Sequence, residues 1–257
     1  MHIGVLGGGG MLGGDLVKFL SENFSVDSID RKNYEEYRGR EYDVFINANG
    51  NSKRFWANEH PFEDFEASTI SVARSLFDFH YKKYIYISTP DIYEDPTSPT
   101  TTHEDSPGLI GALLPYGFHK RLSEDLVRRY AKDFIILRSA AILGTKLKKG
   151  IAYDILVGNE LFVTLDSKIQ FISTKAVSDI ITTLLSKNES CNIFNVGGRG
   201  AVTPEAIGSI AGRRVRVRSD AKTQQYEMNI DKIAGIYDAL ETSEDYVRFL
   251  VQTWRVM

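Results

Sequence analysis

The stretch VLGGGGMLGGDL, Val5 to Leu16, restricts this chain more than any other, because it holds six of the 21 glycines in twelve residues. Glycine loses more conformational freedom on ordering than any other residue, so such a cluster needs a reason. Its flanks supply one. His2 to Leu6 (HIGVL) is a short apolar β-rich run, and past the glycines Leu12, Leu16, Val17 and Leu20 recur at helical spacing. Strand, glycine turn and helix follow one another directly. Gly7, Gly10 and Gly13 fall at three-residue steps, while Gly8, Gly10 and Gly13 satisfy G-x-G-x-x-G, so the register stays open. In either register one glycine makes the tight turn and another lets backbone N–H groups approach a pyrophosphate. The last lets the helix close on the sheet, with its positive end toward the anion. A flexible loop with no ligand is the bland alternative, and the order strand, turn, helix argues against it. No Gly-Lys-Ser/Thr follows, which disfavours a Walker-type phosphate loop.

Five further short strands are expected at Ser25–Asp30, Asp43–Ala48, Tyr84–Ile87, Phe134–Leu137 and Asn192–Val196. Helical patterns lie between most of them, roughly Pro61–His80, Pro115–Lys132 and Lys175–Lys187. Nearly unbroken apolar strands alternating with helices belong to an α/β protein whose parallel sheet is covered on both faces. A Rossmann-type doubly wound parallel sheet with a small C-terminal substrate-binding lobe is the economical topology. Residues 1–144 are read as the dinucleotide-binding domain and 145–257 as the smaller lobe, with about 175–198 returning to the first. Asp91 to Gly108, rich in Pro, Thr, Ser and acid, is expected to be a surface loop.

Composition excludes more than it assigns. A formal net charge of −3 gives no pull toward nucleic acid or anionic membrane, so neither is expected as a partner. The single cysteine, Cys191, rules out an internal disulfide and fits a reducing compartment. No run of eighteen apolar residues and no signal-peptide pattern is readable, so a cytoplasmic location is expected. No metal site is read.

Asp30 closes the second strand 23 residues after Gly7, where an acid can bind an adenosine ribose; its plain alternative is a strand-end turn. Arg31 beside it leaves a 2′-phosphate open, so NAD is the first choice and NADP the second. Tyr116 and Lys120, in PYGFHK, lie four apart on one helical face. An ammonium beside a phenol favours the phenolate and lets a tyrosine exchange protons near neutral pH. With 13 tyrosines in the chain, chance alone supplies about one such pair, so its position decides: it opens the helix after the fourth strand, near the ligand-binding ends of a doubly wound sheet. Ser88 and Thr89 end that strand in YISTPDIY; a hydroxyl there can polarise a carbonyl, although Ser88 reads better as strand termination.

The glycine run, DVFINA, YIYISTPDIY, PYGFHK with RLSEDLVRRY after it, and FIILRSAAILG occur in an order that resembles the extended short-chain dehydrogenases/reductases, the NAD-dependent epimerase/dehydratase family. The resemblance continues more weakly through KAVSDIITTLL, NIFNVGG and NIDKIAG, and so covers nearly the whole chain. It implies Tyr116 as catalytic acid/base, Lys120 on the nicotinamide ribose, and Thr89 as the hydroxyl partner. It also implies Gly7, Gly10 and Gly13, with Met11 and Leu12, along the pyrophosphate, Asp30 on the adenosine ribose, and Ala48 under the cofactor. Members typically act on sugars linked to nucleoside diphosphates and form homodimers through the two helices placed here at 61–80 and 115–132. The chain departs from the pattern in places. Ser68 stands where the family usually has asparagine, and Ala141 where a substrate-contacting asparagine is expected. Pro90-Asp91 replaces the Asp-Glu pair of the dehydratases. The short gap between the second and third strands resembles the 4-keto-sugar reductases.

RRVRVR, Arg213 to Arg218, alternates so that Arg214, Arg216 and Arg218 share one face of a strand. That face suits a substrate diphosphate, or equally an edge strand defended by charge. Lys146, Lys148 and Lys149 read as a solvated loop. Two functions are therefore carried. One is an NAD(P)-dependent epimerase or 4-keto reductase acting on a small-molecule substrate, a nucleotide sugar. The other is a non-catalytic dinucleotide-binding sensor of the same fold.

Overall fold

The computed structural model of the chain describes residues 1–105 and 108–254. Six parallel strands form one sheet: β1 (His2–Leu6), β2 (Ser25–Ile29), β3 (Glu41–Asn47), β4 (His80–Ser88), β5 (Phe134–Ser139) and an edge strand, Asn192–Val196. Across the sheet they run β2, β1, β3, β4, β5, Asn192–Val196. The chain steps outward from β1 to β2 and returns to β3 on the other side of β1. Leu6 is therefore paired with both Ile29 and Asn47, and the glycine turn emerges between the ends of two strands. Such a reversal leaves a crevice beyond the carboxyl ends of the strands, where doubly wound sheets bind ligands.

Alternation along each strand explains why the strands read as unbroken apolar runs. Ile3, Val5, Val44, Ile46, Ile85, Ile87, Ile135 and Leu137 face one layer, with Leu16 and Leu20 of α1 (Met11–Leu20) and Ile180 and Leu184 of the helix Thr174–Ser186. Leu6, Phe45, Tyr84, Tyr86, Phe134 and Ile136 face the other, against Val72, Leu76 and Val127. That second layer is covered by the helical stretch 61–78 and by the helix Pro115–Tyr130. Neighbours on a strand point to opposite faces, so a sheet buried on both sides has no position left for a polar alternation.

The expected elements are present with shifted ends. The 61–78 stretch stops two residues early because Phe79 turns extended and stacks on Phe45 at 4.5 Å, which frees His80 to begin β4. Within it, Glu66–Ile70 forms one wider π turn, burying Ser68 and Thr69. Thr69 donates to the backbone carbonyl of His119 at 3.1 Å. Such turns often mark functional sites.

Two expectations are corrected. The loop after β4 is not wholly a surface loop: Ile92, Tyr93 and Thr102 are buried, and Pro90–Ile92 makes a tight helical turn. Arg138 holds this loop in place. Its guanidinium is bound by both Glu124 oxygens at 2.8 and 3.1 Å, and it donates to the Tyr93 hydroxyl and the Glu104 carbonyl. Ser106 and Pro107 lie outside the described residues. The strand expected from Arg213 begins at Arg216 and runs to Lys222, paired with Glu160–Val163. Gly212 ends the preceding helix in the left-handed region, and Arg213 then bonds back to Gly208, so the chain reaches the strand later than RRVRVR suggests. Arg214 is outside the strand.

The remaining C-terminal residues form two more short parallel pairs, Ala141–Leu143 with Phe171–Ser173 and Lys168–Ile169 with Gln225–Tyr226, and the helices Ile151–Val157, Pro204–Ala211 and Ser243–Trp254. Their buried side chains, among them Ile155, Ile207 and Val247, continue the core layer that holds Ile3 and Val5.

Candidate active site

The glycine turn is tight for reasons that can be read atom by atom. Gly7 has φ +92°, and a Cβ there would stand 2.9 Å from the Ala48 carbonyl. A Cβ on Gly13 would come within 2.1 Å of the Gly7 carbonyl oxygen, and one on Gly8 within 2.1 Å of Ser28 Oγ. Gly10 meets only the Gly7 oxygen, at 3.2 Å; it is exposed and begins α1 without a side-chain cap. Both sequence registers thus have a physical basis: Gly7 and Gly13 close the turn, and Gly8 clears β2. Met11 and Leu12 are half-buried in the first helical turn, where backbone N–H groups lack helical partners.

Asp30 lies just past β2, beside this turn. One oxygen accepts the Lys32 N–H at 2.7 Å, and the other stands 3.2 Å from where a Gly9 Cβ would be. Arg31 is exposed. Ala48 is half-buried and donates its N–H to Leu6 at 3.0 Å. From Ala48 the chain continues to Gly50, where a Cβ would lie 3.5 Å from Lys120 Nζ and 3.8 Å from Ser68 Oγ. The glycine turn and the Tyr116–Lys120 helix therefore meet across three residues of the loop after β3.

Tyr116 is buried at the start of that helix, where its backbone N–H is capped by Asn58 Oδ1 at 3.2 Å. Lys120, also buried, donates to the Ile87 carbonyl at 3.2 Å and lies 5.0 Å over the Tyr86 ring. Burial pushes the Tyr116 phenol up to about 12, opposed first by the Lys120 charge and raised further by Asp91 and Tyr86; hydrogen bonding to Thr89 acts to lower it. Thr89 Oγ1 donates to Asp91 Oδ2 at 2.9 Å. Ser88 instead donates to Glu124 at 2.5 Å, within the buried Arg138 network, in keeping with a structural role.

Other residues singled out in the sequence make no bond to Tyr116, Lys120 or Thr89 among the described residues. Arg214, Arg216 and Arg218 are exposed. Arg216 donates to the Gly158 carbonyl, and Arg218 binds Asp220 at 2.8 Å and covers the Phe162 ring. Ala141 is exposed at the start of its short strand. Lys149 donates to Ser52 at 2.6 Å, with its ammonium pKa lowered by desolvation and by Lys53.

Several residues at the site escaped sequence reasoning. Arg54 donates to Asp91 at 2.9 Å, and Tyr226, 172 residues further on, bonds both. No local pattern links such distant positions. The buried pair Asp64–His119, at 2.7 Å, also takes Ser68 and Asn51 onto Asp64. The four-residue spacing of Asp64 and Ser68 was the available hint. Asp15 is buried in α1 and accepts from Thr145 and Thr174, tying the helix to the C-terminal half. A carboxylate among the apolar positions of α1 was its signal.

A family model described as the NAD dependent epimerase/dehydratase family matches residues 3–197. The chain belongs to that family. Solved structures share the fold. A UDP-galactose 4-epimerase structure superposes with a TM-score of 0.80 at 19% identity, covering 100% of this chain and 99% of the other. A dTDP-4-dehydrorhamnose reductase from Clostridium acetobutylicum gives 0.80 at 17% identity, covering 99% and 100%. A Thermus thermophilus UDP-glucose 4-epimerase complexed with NAD gives 0.76 at 18% identity, covering 99% of each chain. A search of curated protein sequences found no match. Among the described residues no helix is long and apolar enough to cross a membrane, and no cluster suited to a metal ion occurs.

Proposed function

We propose that this epimerase/dehydratase-family chain is an NAD(P)-dependent enzyme that acts on a nucleoside-diphosphate sugar, as a 4-epimerase or 4-keto reductase. One observation carries the reading: the loop Ala48–Gly50 joins the glycine turn to Lys120, and Lys120 shares a buried helix end with Tyr116. The residues fit a dinucleotide. A Cβ would fill the turn at Gly7 and Gly13, yet Gly10 opens to solvent at the helix start. Gly7, Gly10, Met11, Leu12 and Gly13 would hold the pyrophosphate, Asp30 the adenosine ribose, Ala48 the space beneath, and Lys120 the second ribose. Arg31 keeps NADP alongside NAD. Such a cofactor supplies or accepts a hydride at a substrate carbon.

Tyr116 gives or takes the proton at the oxygen of that same carbon. Burial holds the phenol neutral as the proton donor, and the Lys120 charge opposes part of that upward shift. Release of substrate after one step makes a reductase; retention and attack on the other face makes an epimerase. The arginines Arg214, Arg216 and Arg218 remain candidates for the diphosphate, supported by their exposure. A homodimer in the cytoplasm completes the proposal. Phe62 and Phe77 on the 61–78 stretch and Tyr130 on the neighbouring helix are 69%, 64% and 49% exposed, and the single cysteine fits a reducing compartment.

Tyr116→Phe tests the mechanism. It is expected to keep the affinity for NADH, read by fluorescence titration, and to lose turnover of UDP- and dTDP-sugars by about 10²–10⁴-fold. Wild-type turnover in that variant overturns the assignment. Dinucleotide binding with no turnover by the parent protein across the panel makes the chain a sensor instead.

A further inference from the structure

Thr89 and Asp91 follow β4 directly, Arg54 opens the short helix Arg54–Glu59 after β3, and Gln224 and Tyr226 come from the C-terminal residues. Together they surround one carboxylate. Asp91 Oδ1 accepts from Arg54 at 2.9 Å and from the Tyr226 hydroxyl at 3.0 Å. Arg54 is fixed in turn by Gln224 at 3.1 Å and lies 4.7 Å over the Tyr226 ring. Asp91 Oδ2 accepts from Thr89 Oγ1 at 2.9 Å, and the Asp91 N–H returns to Thr89 Oγ1 at 3.3 Å. A threonine hydroxyl owns a single proton. An ionised carboxylate is a stronger acceptor for it than a neutral phenol, so the hydrogen bond by which Thr89 would lower the Tyr116 phenol competes with Asp91 for that one proton.

We propose that Asp91, held by Arg54 and Tyr226, is a positioning residue that takes the only proton of Thr89, so that Thr89 faces Tyr116 and the substrate as a hydrogen-bond acceptor. The proposal rests on the function given above and deepens it. Of these two hydroxyls, Tyr116 becomes the donor at the reacting oxygen, and Thr89 selects substrates that present a hydroxyl hydrogen to it. A carbonyl oxygen is then served by Tyr116 and not by Thr89. The groups that face Tyr116 are Lys120 on its own helix, Tyr86 on β4, Thr89 and Asp91 after β4, and Arg54 after β3.

A titration that needs no substrate tests this. Tyr116 is replaced by 3,5-difluorotyrosine, whose more acidic phenol titrates where the protein is folded, and its ionisation is followed by fluorine NMR in the full-length chain. Asp91→Asn is expected to move that ionisation down by about one pH unit or more, since a negative neighbour is lost and the Thr89 proton becomes free to reach the phenolate. Thr89→Val is expected to leave the ionisation nearly unchanged with Asp91 present, and to move it back up in the Asp91→Asn background. Equal effects of Thr89→Val in both backgrounds, including none in either, overturn the proposal. Absence of sugar turnover in the parent protein refutes the proposed function and leaves this cycle readable.

Discussion

Replacing Gly13 by alanine puts one methyl group against backbone on every side that matters. Its Cβ would lie 2.1 Å from the Gly7 carbonyl oxygen, 2.5 Å from its carbon and 3.0 Å from the Gly8 nitrogen. Ordinary non-bonded contacts begin at about 3.5 Å, so helix and turn must separate by at least about 1 Å. None of those atoms belongs to a side chain that can swing away. Overpacking of this kind costs about 1–3 kcal/mol, which at this chain length lowers Tm by about 2–9 °C and leaves the fold in place. Binding suffers more than stability. The same 1 Å misplaces the backbone donors at the start of α1, and a misplacement of that size costs on the order of 10²-fold. Fluorescence titration of NADH beside a circular-dichroism melt reads both quantities. Gly111→Ala is the control, because its Cβ meets nothing within 4 Å. A Gly13→Ala protein with wild-type NADH affinity would refute the claim that this turn is built around a pyrophosphate.

The buried Arg138–Glu124 pair, each side chain 1% exposed, predicts a second outcome. Glu124→Gln strands a buried guanidinium and is expected to cost about 3–5 kcal/mol, seen as a Tm lower by about 6–15 °C. An unchanged melt would show the pair to be dispensable. A third concerns alkali. Burial pushes Tyr93 and Tyr116 up to about 12. The unfolded chain therefore loses these protons first, and stability that is full below pH 10 is lost between pH 10 and 12. Each phenol contributes about 1.4 kcal/mol for every tenfold by which folding weakens its acidity. The urea midpoint should hold steady up to about pH 9.5 and then decline; a midpoint that stays level to pH 12 contradicts the burial of these phenols.

What could be read without the structure was whatever repeats locally. Short unbroken apolar runs and helical spacing located all six strands of the central sheet and the helices between them, because both patterns are written into neighbouring residues. The glycine turn was legible for the same reason, as was the Tyr116–Lys120 pair. Element ends were less so. Phe79 leaves its helix to stack on Phe45, 34 residues away, and Val215 and Arg213 turn back toward Gly208 before the strand at Arg216 can begin. RRVRVR misled because alternation describes a strand only once the chain has reached it.

The surroundings of Tyr116 were beyond local reading altogether. Asp91 looked like a departure from a motif, yet folding sets it between Thr89 and an arginine 37 residues earlier, under a tyrosine 135 residues later. Likewise Asp64 finds His119 across two helices. Short-range pattern determined the architecture and the chemistry on offer, since strand and helix periods and a glycine turn act over a few residues. Which hydroxyl gives its proton to which carboxylate was decided only when distant loops were packed together, because a hydrogen bond depends on position in space and not on spacing along the chain.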